Sequence, residues 1–109
     1  MKRSDGLTLT WANVPPGAPF VSILGFNVDQ ANNVSAGFHC LASPTAGSFT
    51  VPAVAMGNVP ATPPRAIANL GLVLVGVPLL NSAGSFFATG LDQGLAVFGT
   101  SNEWTVTFQ

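Results

Sequence analysis

Hydrophobic and polar positions along this chain alternate with a period of two over most of its length. LTLTW (Leu7 to Trp11) sets apolar side chains against hydroxyls, which places Leu7, Leu9 and Trp11 on one face of a strand. A second strand is predicted over Phe20 to Asn27, with Val21 and Ile23 on one face and Leu24 and Phe26 on the other. In VSAGFHC, Val34, Ala36, Phe38 and Cys40 are in phase, whereas Ser35, Gly37 and His39 point the opposite way. SFTV adds a short strand with Phe49 and Val51 inward. Leu70 to Val77, LGLVLVGV, is apolar on both faces, and its β-branched residues and glycines favour a central strand over a helix. SFFATG, LAVF and EWTVTFQ predict further short strands, the last with Trp104, Val106 and Phe108 inward and Thr105 and Thr107 outward.

Turn chemistry punctuates these runs. Asn13 to Gly17 carries two prolines and a glycine, and Asp29 to Asn33 is an Asx-rich cluster whose side chains bond their own backbone. Ala42 to Gly47 predicts another turn, and Asn58 to Ala66 a proline-rich connection. Pro52 to Gly57 has proline at its start, good helix formers behind and glycine at its end, which predicts a single helical turn. About seven short strands with a turn every eight to twelve residues or so predict an antiparallel β-sandwich, with a barrel as its main competitor. The expectation is one domain over residues 1–109, with residues 1–6 a linker or disordered end.

Composition narrows the environment. The chain has three Lys/Arg, four Asp/Glu and 6% charged residues, against ~25% in ordinary soluble domains. With 48% hydrophobic residues it is not a disordered polar tract. Its longest apolar run, Leu70 to Leu80, falls short of the ~18 residues that read as a membrane helix. Solvation therefore rests on Ser, Thr, Asn and Gln. A net charge of −1, with Lys2 and Arg3 at one end and Arg65 alone, argues against nucleic acid, which demands clustered cations. The single cysteine rules out an internal disulfide. MKRSDGLTLTW lacks the continuous apolar core of a signal peptide, which leaves a cytoplasmic protein or a domain taken from a longer exported chain. The second is the expectation once the family resemblance of other segments is added.

Several pieces together resemble a known module: AGSFTVPAVAMGNVPA (Ala46 to Ala61), ATGLDQGLAVF (Ala88 to Phe98) and the closing WTVTFQ, joined by LTLTW and FHC. They are similar to an Ig-like C-terminal module repeated in large secreted proteins of soil bacteria. The resemblance covers most of the chain, but its motifs are turn and core residues. It implies an Ig-like fold in an extracellular setting and brings no catalytic or ligand-binding residues.

Candidate chemistry is sparse. His39 and Cys40 are the only histidine and cysteine, adjacent in one strand. Neighbouring strand residues face opposite ways, so they do not converge as a metal pair or a catalytic dyad. Cys40 is expected to be buried and inert, and His39 to be solvent-facing or hydrogen-bonded. Trp11 and Trp104 fall in phase with aliphatic neighbours, which predicts packing rather than sugar stacking. Asp29 and Asp92 sit in turns and read as backbone caps, leaving Glu103 as the other acid outside the N-terminal tail. No catalytic, cofactor-binding or metal-binding residue is assigned, and no cofactor is expected. The functional expectation is a non-catalytic extracellular module, a spacer or adhesion element that meets protein or polysaccharide and dimerises weakly, without nucleic-acid binding or membrane insertion. The alternative is a carbohydrate-binding module using an exposed aromatic such as Phe26, Phe87 or Phe98; a small hydrolase ranks behind it.

Overall fold

A computed structural model describes residues 1–63, 71–86, 89–90 and 94–109, with side chains described outside 79–84, 86 and 94–98. Two antiparallel sheets face one another across a single core. Strand β1 (Leu7–Thr10) pairs with β4 (Ser48–Val51), and the larger sheet runs in the order β3 (Val34–Ala42), β2 (Val21–Asp29), β5 (Gly71–Phe86), β6 (Gly94–Val106). One short helix, α1 (Ala53–Gly57), begins behind Pro52, as its proline and glycine punctuation predicts.

The all-β, antiparallel expectation holds, with six strands among the described residues in place of about seven. The difference lies in the last hairpin. GLVLVGV and the following Ser-Phe belong to one continuous strand, and LAVF is continuous with EWTV. The Pro78 to Gly84 stretch looks like a break in sequence. Pairing with β6 nonetheless resumes past a register shift between Leu79 and Gly84, because a bulge absorbs the extra residues without ending the ladder.

Strand phase decides the core. Val21 and Ile23 of β2, Phe38 and Ala42 of β3, Val51 of β4 and Val73 of β5 all turn inward, where Met56, Val59 and Phe108 close the ends. Gly25 lies on β2 directly opposite Phe38, and the ring occupies the space a β-carbon would need. Gly71 is covered in the same way by the Phe108 ring. At each of these positions the missing side chain is what lets an aromatic ring lie against the sheet.

Residues 1–6, expected to be a linker or disordered, are drawn into the fold. The Met1 ammonium donates to the Thr107 carbonyl at 2.8 Å, and the Arg3 amide to the Gln109 carbonyl at 2.9 Å. In return the Gln109 amide donates to the Met1 carbonyl at 2.9 Å, so the two chain ends lie side by side. Arg3 also donates from Nη1 to the Val59 carbonyl at 2.8 Å. These partners are distant in sequence, so composition near the terminus carries no sign of them.

Among the described residues, Asn27 is the buried polar one. Its Nδ2 donates to the Pro60 carbonyl at 2.8 Å and to Thr62 Oγ1 at 3.3 Å. Thr62 Oγ1 also accepts the Phe108 amide at 3.0 Å. Through this one side chain β2 holds the proline-rich connection and the C-terminal segment together. That arrangement satisfies the Asn27 Nδ2 donor and the Thr62 hydroxyl, which would otherwise be costly to bury, while Asn27 Oδ1 is buried without a partner among the described residues.

Candidate functional site

The strongest chemical signal in the sequence, His39–Cys40, separates in space as strand phase requires. Cys40 turns toward the core and is half-buried, and burial pushes its thiol above the ordinary range. His39 is exposed on the opposite, outer face of the large sheet. There its Nε2 shares a 2.8 Å hydrogen bond with Ser22 Oγ. Ser22 pairs directly with Leu41, and His39 with Leu24, so the bonded side chains are diagonal neighbours on β2 and β3. Sequence reasoning did not single out Ser22, because strand register alone creates this contact.

A serine hydroxyl against a histidine nitrogen is half of a nucleophile–base arrangement, which also requires a group to orient the imidazole. The acid on the same face is Glu103. It occupies the same row across the sheet, with His39 opposite Leu24, Leu24 opposite Leu74 and Leu74 opposite Glu103. Three strand spacings of ~4.8 Å put it ~14 Å from His39, beyond hydrogen-bond reach. Beside Ser22 the sheet surface dips into an open depression of about 310 Å³, floored by Gly76 and bordered by Phe20 and Ser101.

The same outer face is unusually apolar for a surface. Leu24 is 38% exposed, Phe26 41% and Leu41 54%. Leu72 and Leu74, half-buried, stand beside Phe26 and Leu24 on β5. The two central strands of the face thus carry large aliphatic and aromatic groups, while Ser101, Glu103 and Thr105 of β6 line one flank. The sequence carries part of the signal: Leu24 and Phe26 share the face of β2 opposite Val21 and Ile23, and β5 is apolar on both faces. Burial shows that the Leu24–Phe26 face is the outward one.

The tryptophans divide. Trp11 is half-buried and its indole N–H donates to the Pro44 carbonyl at 2.9 Å, fixing the turn that precedes β4. Trp104 lies on the inward side of β6 but remains 47% exposed. The two-stranded sheet is too narrow to cover β6, and a slot of about 230 Å³ opens between Trp104, Val73 and Val106 on one side and Leu7 and Leu9 on the other. Phe26 is exposed on the outer face, whereas Phe87 and the Phe98 side chain lie outside the described residues.

Asp29 caps its turn as expected. Its carboxylate accepts the Asn32 side-chain amide at 2.7 Å, and the backbone amides of Ala31 and Asn32 at 3.1 and 3.2 Å. The Asn32 side chain is the main cause holding this carboxyl below its ordinary range; slight desolvation opposes it and the backbone amides assist. Asp92 and Arg65 lie outside the described residues. Among the described residues no three His, Cys, Asp or Glu side chains gather as a metal would require, and no helix is long and apolar enough to cross a membrane. Comparison of the chain with protein-family models, with curated proteins and with solved structures yields no match.

Proposed function

We propose that this chain is a non-catalytic extracellular β-sandwich module that serves as a spacer or interaction element within a longer secreted or surface protein. The observation that carries the reading is the apolar outer face of the four-stranded sheet, centred on Leu24 and Phe26. Monomeric domains scatter single apolar residues over their surfaces, whereas a contiguous patch marks a contact site. The low charge supports an extracellular contact role, since the face offers shape and apolar area rather than a long-range field. The resemblance to the Ig-like secreted module supports the same setting. Ser22 and His39 belong to this face as a polar contact, without an orienting acid in reach among the described residues.

A second reading, carbohydrate binding, is favoured by one observation: the half-exposed Trp104 indole at the slot beside Leu7 and Leu9. Two measurements test these assignments. Hydrolysis of p-nitrophenyl acetate by the native chain should equal that of Ser22→Ala and His39→Ala variants. Turnover lost in both variants with the fold intact would overturn the non-catalytic reading. Amide shifts mapped during titration with soluble polysaccharides should leave the Trp104 slot unmoved; shifts confined to that slot would transfer the function to the second reading.

A further inference from the structure

Three rows of residues cross the outer face, each fixed by strand register. The middle row runs His39, Leu24, Leu74, Glu103. One neighbouring row runs Gly37, Phe26, Leu72, Thr105, and the other Leu41, Ser22, Gly76, Ser101. The columns are therefore apolar in the centre and polar along β6, with His39 between Gly37 and Leu41 on β3.

We propose that this face is a self-recognition surface, on which a second copy of the chain packs about a two-fold axis parallel to the strands. The proposal rests on the reading of the outer face as the working surface. Such an axis, passing between β2 and β5, exchanges β3 with β6 and β2 with β5 while laying each row on itself. Leu24 then meets the partner's Leu74, and Phe26 meets the partner's Leu72. His39 comes over the partner's Glu103, so a hydrogen-bonding imidazole meets a carboxylate twice in the interface. Leu41, the most exposed of the face's large apolar residues at 54%, arrives at the partner's Ser101, beside the depression floored by Gly76. A protruding residue thus faces a hollow. A two-fold axis across the strands would instead set Glu103 against the partner's Glu103, which like-charge repulsion disfavours. Polar groups flank an apolar centre, as in protein interfaces generally, and aligned sheet packing accommodates the twist of both copies.

The area sets the strength. Four strands at ~4.8 Å and a face ~20 Å long give ~400 Å² per copy, or ~800 Å² in all. This lies below the ~1,200 Å² of stable complexes, in the range of transient contacts. The dimer is accordingly a weak, transient one.

The register supplies a specific test, by sedimentation velocity over a concentration series up to millimolar. The native chain should self-associate, and Leu24→Glu or Leu74→Lys alone should weaken it at least about tenfold, one unit of log affinity. An equimolar mixture of the two variants should recover association. In that heterodimer one contact pairs Glu with Lys and the other keeps Leu on Leu. Monomeric behaviour of the native chain, or failure of the mixture to recover, overturns the proposal. Should a variant misfold, isotope-filtered nuclear Overhauser effects in a mixed-label native sample decide. Intermolecular signals between Leu24 and Leu74 methyls support the two-fold, and their absence overturns it. A monomer that neither hydrolyses esters nor binds sugars at Trp104 would refute self-association while leaving the module reading intact.

Discussion

The Gly25–Phe38 contact offers a quantitative check on the packing of the large sheet. Gly25 is buried on β2, and Phe38, 9% exposed, sits opposite it on β3 with its ring over the glycine. A β-carbon at position 25 would fall inside van der Waals contact with the ring's far edge. Gly25→Ala therefore overpacks the core, at ~1–3 kcal/mol. The loss of unfolded-state freedom returns ~0.4–1 kcal/mol, because the backbone there does not require a positive φ. The net loss is about 1–2 kcal/mol, which at about 4 °C per kcal/mol lowers the melting midpoint by ~4–8 °C. Phe38→Leu alone leaves a gap and costs ~1–2 kcal/mol. The alanine methyl fills part of that gap, so the double variant should match Phe38→Leu, with a coupling of about 1–2 kcal/mol. Thermal and urea unfolding followed by far-UV circular dichroism measure all four corners of this cycle. A neutral Gly25→Ala, or a double variant as unstable as the two singles added, refutes the stacking argument.

Met56→Ala should cost ~2–5 kcal/mol, since Met56 is fully buried where α1 closes the core; urea unfolding reads this directly. Cys40 should react with a disulfide reagent at pH 8 more slowly than a free thiol, because burial raises its pKa and depletes the thiolate. Adding urea through the unfolding transition should restore the free-thiol rate, and fast native labelling would contradict the placement. The Asp29 carboxyl should titrate below 3.8 by carbon-detected NMR. Its folded pKa is depressed, so its contribution to stability is present above the unfolded value and disappears as pH falls through the folded one. Asn32→Ala should return the titration toward 3.8, since the Asn32 side chain is the largest cause of the shift.

Much of the architecture was written in local alternation. A period of two fixes which face each side chain takes, so the inward set of Val21, Ile23, Phe38, Val51 and Phe108 follows from sequence spacing once the segments are strands. The same rule separated His39 from Cys40 and set Leu24 and Phe26 on the face opposite Val21 and Ile23. Turn chemistry was equally local: Asp29 caps through groups two and three residues away, and proline and glycine bracket α1.

What the sequence could not determine depends on pairing between distant segments. The continuity of β5 and β6 past Pro78 comes from a partner strand that resumes its register, not from local propensity. The exposure of Trp104 follows from the width of the opposite sheet, which ends at β1 and leaves β6 uncovered. The order of residues 1–6 depends on a C-terminus more than a hundred residues away in sequence. The Ser22–His39 contact and the row joining His39, Leu24, Leu74 and Glu103 likewise exist only through register. Alternation assigns each residue to a face, because side-chain direction is a property of the single strand. Which residues share a row on that face is settled by hydrogen bonding between strands, and that row pattern is where the recognition surface resides.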